Sequence, residues 1–139
     1  MEIVLKVRDV MDKDVIPIDS AASVSNAIKK MLHSNVWSLV VEKRSLPEGV
    51  VTERDVIRRC VGKGLAPDTL PVEKIMSSPL VTIGPDASIR EAMSLMVEKD
   101  IRRLYVVEKG KIIGRVTQTR LFESTMEVMS SLTSLSGQL

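Results

Sequence analysis

The stretch of the sequence that could do the most chemistry is GVVTERD, residues 49–55. Thr52 stands between an apolar strand-like run and a helix-like run, which is the position of an N-cap residue. Free backbone amides and the positive end of a helix favour an anion such as phosphate there, with Arg54 or Arg58 in reach of it. Asp55 lies one turn further on, and its two acceptor oxygens suit the paired hydroxyls of a ribose. The stretch therefore predicts a nucleotide-type site at Thr52 and Asp55.

The same residues permit a plainer interpretation. A threonine followed three positions later by an acid is also a helix-capping arrangement, which contributes about 1 kcal/mol without any ligand. Arg54, Arg58 and Arg59 are then most simply a solvated helix face. These residues alone leave both interpretations open.

A second copy of the stretch, GRVTQTR at residues 114–120, differs at one informative position. Glycine, valine and threonine return at the same offsets, but Arg120 stands where the first copy has Asp55. An arginine in the first turn opposes the helix dipole, so capping does not account for it. We therefore expect one ribose-binding site, at Asp55, and a second site near Thr117 and Arg120 that is empty or binds something else.

Both stretches belong to a long internal repeat, in which residues 7–57 align with residues 72–122 without a gap. Each copy predicts a strand, a helix opened by Ser23 or Ser88, a two-stranded hairpin and a second helix. The predicted strands are residues 15–18, 36–42 and 49–52, then 80–83, 101–107 and 112–117. Pro47 is placed in the first hairpin turn, and the last helix is expected to run past Phe122 and fray. The predicted buried helix stripes are Val24, Ala27, Ile28, Met31 and Leu32, then Ile89, Ala92, Met93, Met96 and Val97.

Composition limits the classes of function. Apolar residues make up 44% of the 139 residues and charged residues 27%, as in soluble globular proteins. The net charge of +2, with bases interspersed among acids, argues against bulk nucleic-acid or membrane binding. The single cysteine, Cys60, allows neither an internal disulfide nor a zinc ligand set, which predicts a reducing, cytoplasmic setting. No nucleophile–base pair, metal set or phosphate-binding loop is recognisable, so no enzyme is expected.

The elements of the repeat occur in the same order in both copies, and together they resemble a pair of cystathionine β-synthase (CBS) domains, often called a Bateman module. The resemblance rests on VRDVM and VEKIM ahead of each first strand, DASIREAMSLM on a helix, IRRLYVV on a strand, and GVVTERD. It implies an α/β (α+β) fold of two tandem β-α-β-β-α units packed sheet to sheet with pseudo-two-fold symmetry. The implied boundaries are residues 1–64 for the first unit, 65–71 for a linker, 72–125 for the second unit and 126–139 for a helical extension and tail.

The resemblance also implies which residues surround a ligand. In many family members the clefts hold AMP, ADP, ATP or S-adenosylmethionine, and the ribose acid of one unit faces the strands of the other. A base beside Asp55 would then lie against Leu80, Val81, Thr82 and Ile101, with Arg102 or Arg103 near the phosphates. The opposite cleft would offer Ile16, Pro17, Val36 and Trp37 beside Thr117 and Arg120. Trp37 either stacks on a base there or is a buried core indole.

The implied function is a non-catalytic, energy-sensing regulatory module that binds an adenosine compound and signals to an unidentified protein partner. It would need no catalytic cofactor or metal, and the Met-rich helices are plausible surfaces of a homodimer. Two alternatives stay open. One is nucleic-acid binding by the arginines, with a steep salt dependence. The other is a purely structural interaction module with an empty cleft, which would give no thermal shift with any adenosine compound.

Overall fold

The computed structural model describes residues 4–137, and their side chains through residue 135. Two compact units are present: a first unit of Asp14–Leu80, and a second unit that combines the chain up to Lys13 with the chain from Val81 onward. In chain order the elements are α1 (Val7–Val10), β1 (Pro17–Asp19), α2 (Val24–Ser34), β2 (Ser38–Lys43), β3 (Leu46–Thr52), α3 (Glu53–Asp55, continued by a π turn at Val56–Cys60 and a 3₁₀ turn at Val61–Lys63), a 3₁₀ turn at Val72–Lys74, β4 (Thr82–Ile83), α4 (Ile89–Lys99), β5 (Arg103–Glu108), β6 (Lys111–Thr117) and α5 (Gln118–Gly137).

Each unit contains a three-stranded mixed sheet, so the expected α+β class is confirmed. The strand orders are β1-β2-β3 and β4-β5-β6, and in each sheet the first pair is parallel and the second antiparallel. The parallel pair is joined by a helix, α2 or α4, because a parallel connection needs a crossover. Ser23 and Ser88 cap these helices as predicted, each accepting from a backbone amide three residues on at 3.1 Å.

The helix stripes are narrower than the sequence predicted. Val24, Ala27 and Met31 are buried, but Leu32 is 64% exposed. In α4, Val97 is 82% exposed and Met93 is 41% exposed. The last apolar positions of both predicted stripes therefore face outward instead of packing on their own sheets.

The first hairpin turns earlier than predicted. Arg44 and Ser45 form the turn with positive φ angles of 53° and 64°, and Pro47 lies inside β3, paired with Glu42. Proline is tolerated there because β3 is an edge strand and the ladder shifts register at this point. The corresponding turn in the second unit uses Lys109 and Gly110, again with positive φ.

Segments that precede each first strand pack into the unit built by the other repeat. Val7 and Val10 belong to the core of the second unit, while Val72 and Ile75 belong to the core of the first. The packing units are thus offset from the repeat boundaries of 1–64 and 72–125, because local sequence similarity does not say which strands an apolar segment covers.

Backbone bonds and ion pairs fix the α1 segment within the second unit. Asp12 and Arg115 exchange both backbone hydrogen bonds at 2.9 Å, and Arg115 Nε donates to Asp12 Oδ1 at the same distance. Arg8 contacts Asp86 and Glu108, each at 3.1 Å, and its hydrogen bond holds the pKa of Asp86 below the usual value. The exposed pair with Asp86 favours the folded state above acidic pH and loses that effect as the carboxyl is protonated.

The last helix is long, as expected. It runs from Gln118 to Gly137, so it continues through the Ser- and Gly-containing stretch after Leu132 where fraying was expected; residues 138–139 lie outside the described residues. None of the described helices combines the length and the apolar character needed to cross a membrane.

Candidate functional site

Thr52 ends β3 and is the N-cap of the helix that follows. Its Oγ1 accepts from the Asp55 amide at 3.3 Å, and its own amide donates to Asp55 Oδ2 at 2.9 Å. The Thr52 hydroxyl also donates to the same oxygen, Oδ2, at 3.1 Å. The capping arrangement that the sequence left open is therefore present, and it engages one carboxylate oxygen, Oδ2.

The second oxygen of Asp55 has a different neighbour. Oδ1 lies 3.8 Å from Nε of Arg59, one helical turn further along, and the Asp55 side chain is only 11% exposed. A carboxylate oxygen offers two lone pairs, so Oδ1 retains acceptor capacity beside a guanidinium at this distance. The geometry suits a ligand hydroxyl approaching Oδ1 while Oδ2 stays with Thr52.

The helix start has fewer open donors than the sequence suggested. The Glu53 amide donates to the Trp37 carbonyl at 3.2 Å, and the Asp55 amide is bound by Thr52. Two of the first three amides are thus engaged within the unit itself. Arg54 is exposed, beside this helix start.

Arg59 is a functional candidate that the sequence interpretation missed. It was placed on a solvated helix face, yet its Nη1 donates to the carbonyl oxygens of Ile75 at 3.2 Å and Met76 at 3.1 Å. Arg59 is 47% exposed, so it lies on a solvated face as predicted, but the connecting chain folds back against this helix and gives its guanidinium two carbonyl partners. The spacing of four residues from Asp55 is a signal that could have identified the pair.

The second repeat builds a similar helix start with opposite charge. Thr117 Oγ1 accepts from the Arg120 amide at 3.1 Å, and the Gln118 amide donates to the Arg102 carbonyl at 2.8 Å. Arg120 Nη1 lies 3.6 Å from Glu123 and 3.7 Å from Glu127. The carboxylate of the first repeat is therefore replaced by a guanidinium that pairs along its own helix.

The remaining candidates divide between the units. Leu80, Ile16, Pro17, Val36 and Trp37 belong to the first unit, and Val81, Thr82, Ile101, Arg102 and Arg103 to the second. Val36 is a core residue, 5% exposed, whereas Trp37 is 51% exposed, so the buried-indole alternative is wrong.

Among the described residues, Arg103 Nε is a buried donor without a hydrogen-bond partner. Arg103 lies opposite Thr117 in the ladder of the second sheet.

The CBS domain family model matches residues 7–62 and again residues 72–127. The chain is a tandem CBS-domain protein. Both matches follow the internal repeat, and together they cover most of the sequence.

Two relatives agree with this CBS assignment. The chain is 30% identical over 135 residues to the CBS domain-containing protein YhcV of Bacillus subtilis, covering 95% of this chain and 96% of YhcV. It is 36% identical over 121 residues to an uncharacterized protein of Methanopyrus kandleri, covering 86% of this chain but only 62% of that protein.

Two solved CBS structures match the fold. One is a provisionally named signal-transduction protein with CBS domains from Burkholderia ambifaria (28% identity, TM-score 0.83, 88% of this chain and 95% of that chain). The other is a hexameric CBS-CP12 protein from bloom-forming cyanobacteria (28% identity, TM-score 0.81, 87% of this chain and 68% of that chain).

Proposed function

We propose that this CBS-domain pair is a regulatory module that binds AMP, ADP, ATP or S-adenosylmethionine and passes its ligand state to a protein partner. The observation that carries the proposal is the carboxylate of Asp55. It is nearly buried at a helix start, held through Oδ2 by Thr52, and aims Oδ1 at a guanidinium 3.8 Å away. The other repeat lacks this acid, yet threonine caps both helices. Capping by threonine therefore does not require the acid.

The chemistry of recognition follows from the acceptors that Asp55 offers. A ribose diol presents two O–H donors, and Oδ1 of the Asp55 carboxylate can accept from it in a charge-assisted hydrogen bond, while Oδ2 stays engaged by Thr52. The ligand would regulate by binding one conformation of the module better than another, since only such a difference shifts a population. The base contacts of Leu80, Val81, Thr82 and Ile101, and phosphate contacts of Arg102, Arg103 and Arg54, belong to the same proposal.

Replacing Asp55 with alanine is expected to weaken adenosine binding at least about tenfold, because hydrogen bonds to a charged acceptor are lost. Isothermal titration calorimetry with AMP, ATP and S-adenosylmethionine measures this on wild type and Asp55→Ala. Arg120→Ala is the matched control, since it changes the equivalent position of the other repeat and should bind as wild type does.

Thermal unfolding without ligand separates a binding defect from loss of the cap. Equal affinities in wild type and Asp55→Ala would contradict the proposed role of the carboxylate. If no adenosine compound binds wild type or shifts its melting temperature, the structural module with an empty site is the better account.

We also propose that the module self-associates through the α4 and α5 helices. A groove of about 570 Å³ lies between them within the second unit, and exposed apolar side chains line it and continue along α5. Clusters of exposed apolar side chains are typical of interaction surfaces. The hexameric CBS-CP12 structure adds support from a related fold. The apolar side chains exposed on the two helices are Met93, Val97, Phe122, Met126, Met129, Leu132 and Leu135.

The double variant Val97→Asp with Phe122→Asp is expected to convert a homodimer to monomer, because charges would be buried without partners. Light scattering across a concentration series measures the mass. Leu46→Asp is the control, since Leu46 is equally exposed but lies on the hairpin of the first unit. A wild-type protein that stays monomeric at high concentration would refute this surface.

A further inference from the structure

One guanidinium contacts both the candidate ribose acid and the chain that leads out of the first unit. Arg59 Nε lies 3.8 Å from Asp55 Oδ1, and Nη1 donates to the carbonyl oxygens of Ile75 and Met76. The planar fork of arginine places donors on separate edges, so one side chain can address a carboxylate and two carbonyls together. A lysine has one ammonium and lacks this geometry.

The segment that Arg59 holds is also joined to the strand that leads to Thr52. Ser77 and Val50 exchange backbone hydrogen bonds at 2.8 and 2.9 Å, and Val50 stands two residues before Thr52. Ile75 is buried in the core of the first unit. Residues 75–77 are therefore fixed on one side to β3 and on the other to the helix that carries Asp55.

Arg59 also determines the surroundings of the carboxylate oxygen that remains for a ligand. The two donors of Thr52 act on Oδ2, whereas Arg59 faces Oδ1. A cation beside a nearly buried carboxylate offsets part of the cost of burying it. A diol that donates to Oδ1 would thus bind beside Arg59 and share an acceptor with it.

We infer that Arg59 is a positioning residue that orients Asp55 for an adenosine ligand and transmits occupancy of Asp55 to residues 75–77. The inference rests on the proposed function. A diol on Oδ1 fixes the carboxylate, the fixed carboxylate fixes the guanidinium, and the guanidinium holds the two carbonyls. Residues 75–77 run directly into Leu80 and Val81, where the chain passes from the first unit to the second.

Hydrogen exchange of the Met76 and Ser77 amides, with and without AMP, tests this transmission. Both amides are hydrogen-bonded, to Val72 and Val50, so their exchange reports opening of the segment. In wild type, saturating AMP should slow their exchange several-fold. Arg59→Ala should bind AMP roughly two- to fivefold more weakly, because a half-exposed ion pair contributes little free energy. In this variant, saturating AMP should not slow the exchange of the two amides. Arg59→Lys should recover affinity in part but not the slowing.

Lys63→Ala is the matched control, because it removes one positive charge from an exposed residue in the turn that continues the same helix. It should behave as wild type in both measurements. Unchanged affinity and unchanged slowing in Arg59→Ala would overturn the inference while leaving the proposed function intact. A wild type that binds neither AMP, ATP nor S-adenosylmethionine would overturn both. If thermal unfolding shows that Arg59→Ala is not folded, Arg59→Lys provides the test instead. Full slowing of Met76 and Ser77 exchange by AMP in Arg59→Lys would refute the role of the guanidinium.

Discussion

A fragment of residues 14–80 is expected to unfold cooperatively, whereas a fragment of residues 14–64 is expected to show no cooperative transition. The reason is the segment after residue 64, which supplies buried side chains to the first unit. Val72 and Ile75 are 0% and 1% exposed. Burial of each such side chain contributes about 1.5–3 kcal/mol, a large share of the stability of so small a unit.

Urea unfolding followed by circular dichroism measures the difference between the two fragments. A fragment of residues 1–80 is the control, because the α1 segment packs with the second unit and should leave the midpoint of the first nearly unchanged. Equal cooperative transitions for 14–64 and 14–80 would show that residues 65–80 are not part of this unit.

Gly49→Ala is expected to destabilise the protein by about 3 kcal/mol, at the upper end for overpacking a tight contact. A Cβ at this position would lie 2.5 Å from the Ser77 carbonyl oxygen and 3.0 Å from the Met76 sulfur. The methionine can move, but the carbonyl accepts from the Val50 amide and cannot retreat without breaking that bond.

Thermal and urea unfolding of Gly84→Ala provide the control for Gly49→Ala. Nothing lies within 4 Å of a Cβ built at Gly84, so the Gly84→Ala substitution should change the free energy of unfolding of the protein by no more than about 0.5 kcal/mol. Similar losses in the free energy of unfolding from both substitutions would mean that a general effect of replacing glycine with alanine, and not the contact with Ser77, explains the result. Gly114 repeats the crowding in the second unit, with the Asp12 carbonyl at 2.7 Å.

The features that sequence could predict are those coded by nearby residues. The caps at Ser23, Ser88 and Thr52 and the β-α-β-β-α order depend on spacings of a few residues, and the internal repeat is visible directly by aligning the sequence with itself. The sequence predicts the hairpin turn too late because Pro47 is a strong turn signal in isolation. Its place on an edge strand, where a missing amide is harmless, depends on the assembled sheet.

The candidate site was predictable in part for the same reason. Thr52 and Asp55 are three residues apart, and their contact follows from a helix start. The link from Arg59 to Ile75 joins residues 16 positions apart through a chain reversal that no local pattern encodes. The ligand itself stays a prediction, because one carboxylate oxygen, Oδ1, can accept from the hydroxyls of many compounds.

The pairing of Asp12 with Arg115 has a consequence for biosynthesis. The two residues are separated by 103 positions, so a ribosome must deliver almost the entire repeat array before this ladder can close. The unit of Asp14–Leu80 is contiguous and can form while translation continues. Until Arg115 emerges, the apolar side chains of α1 lack the second unit that buries them and stay exposed to solvent and to other nascent polypeptides.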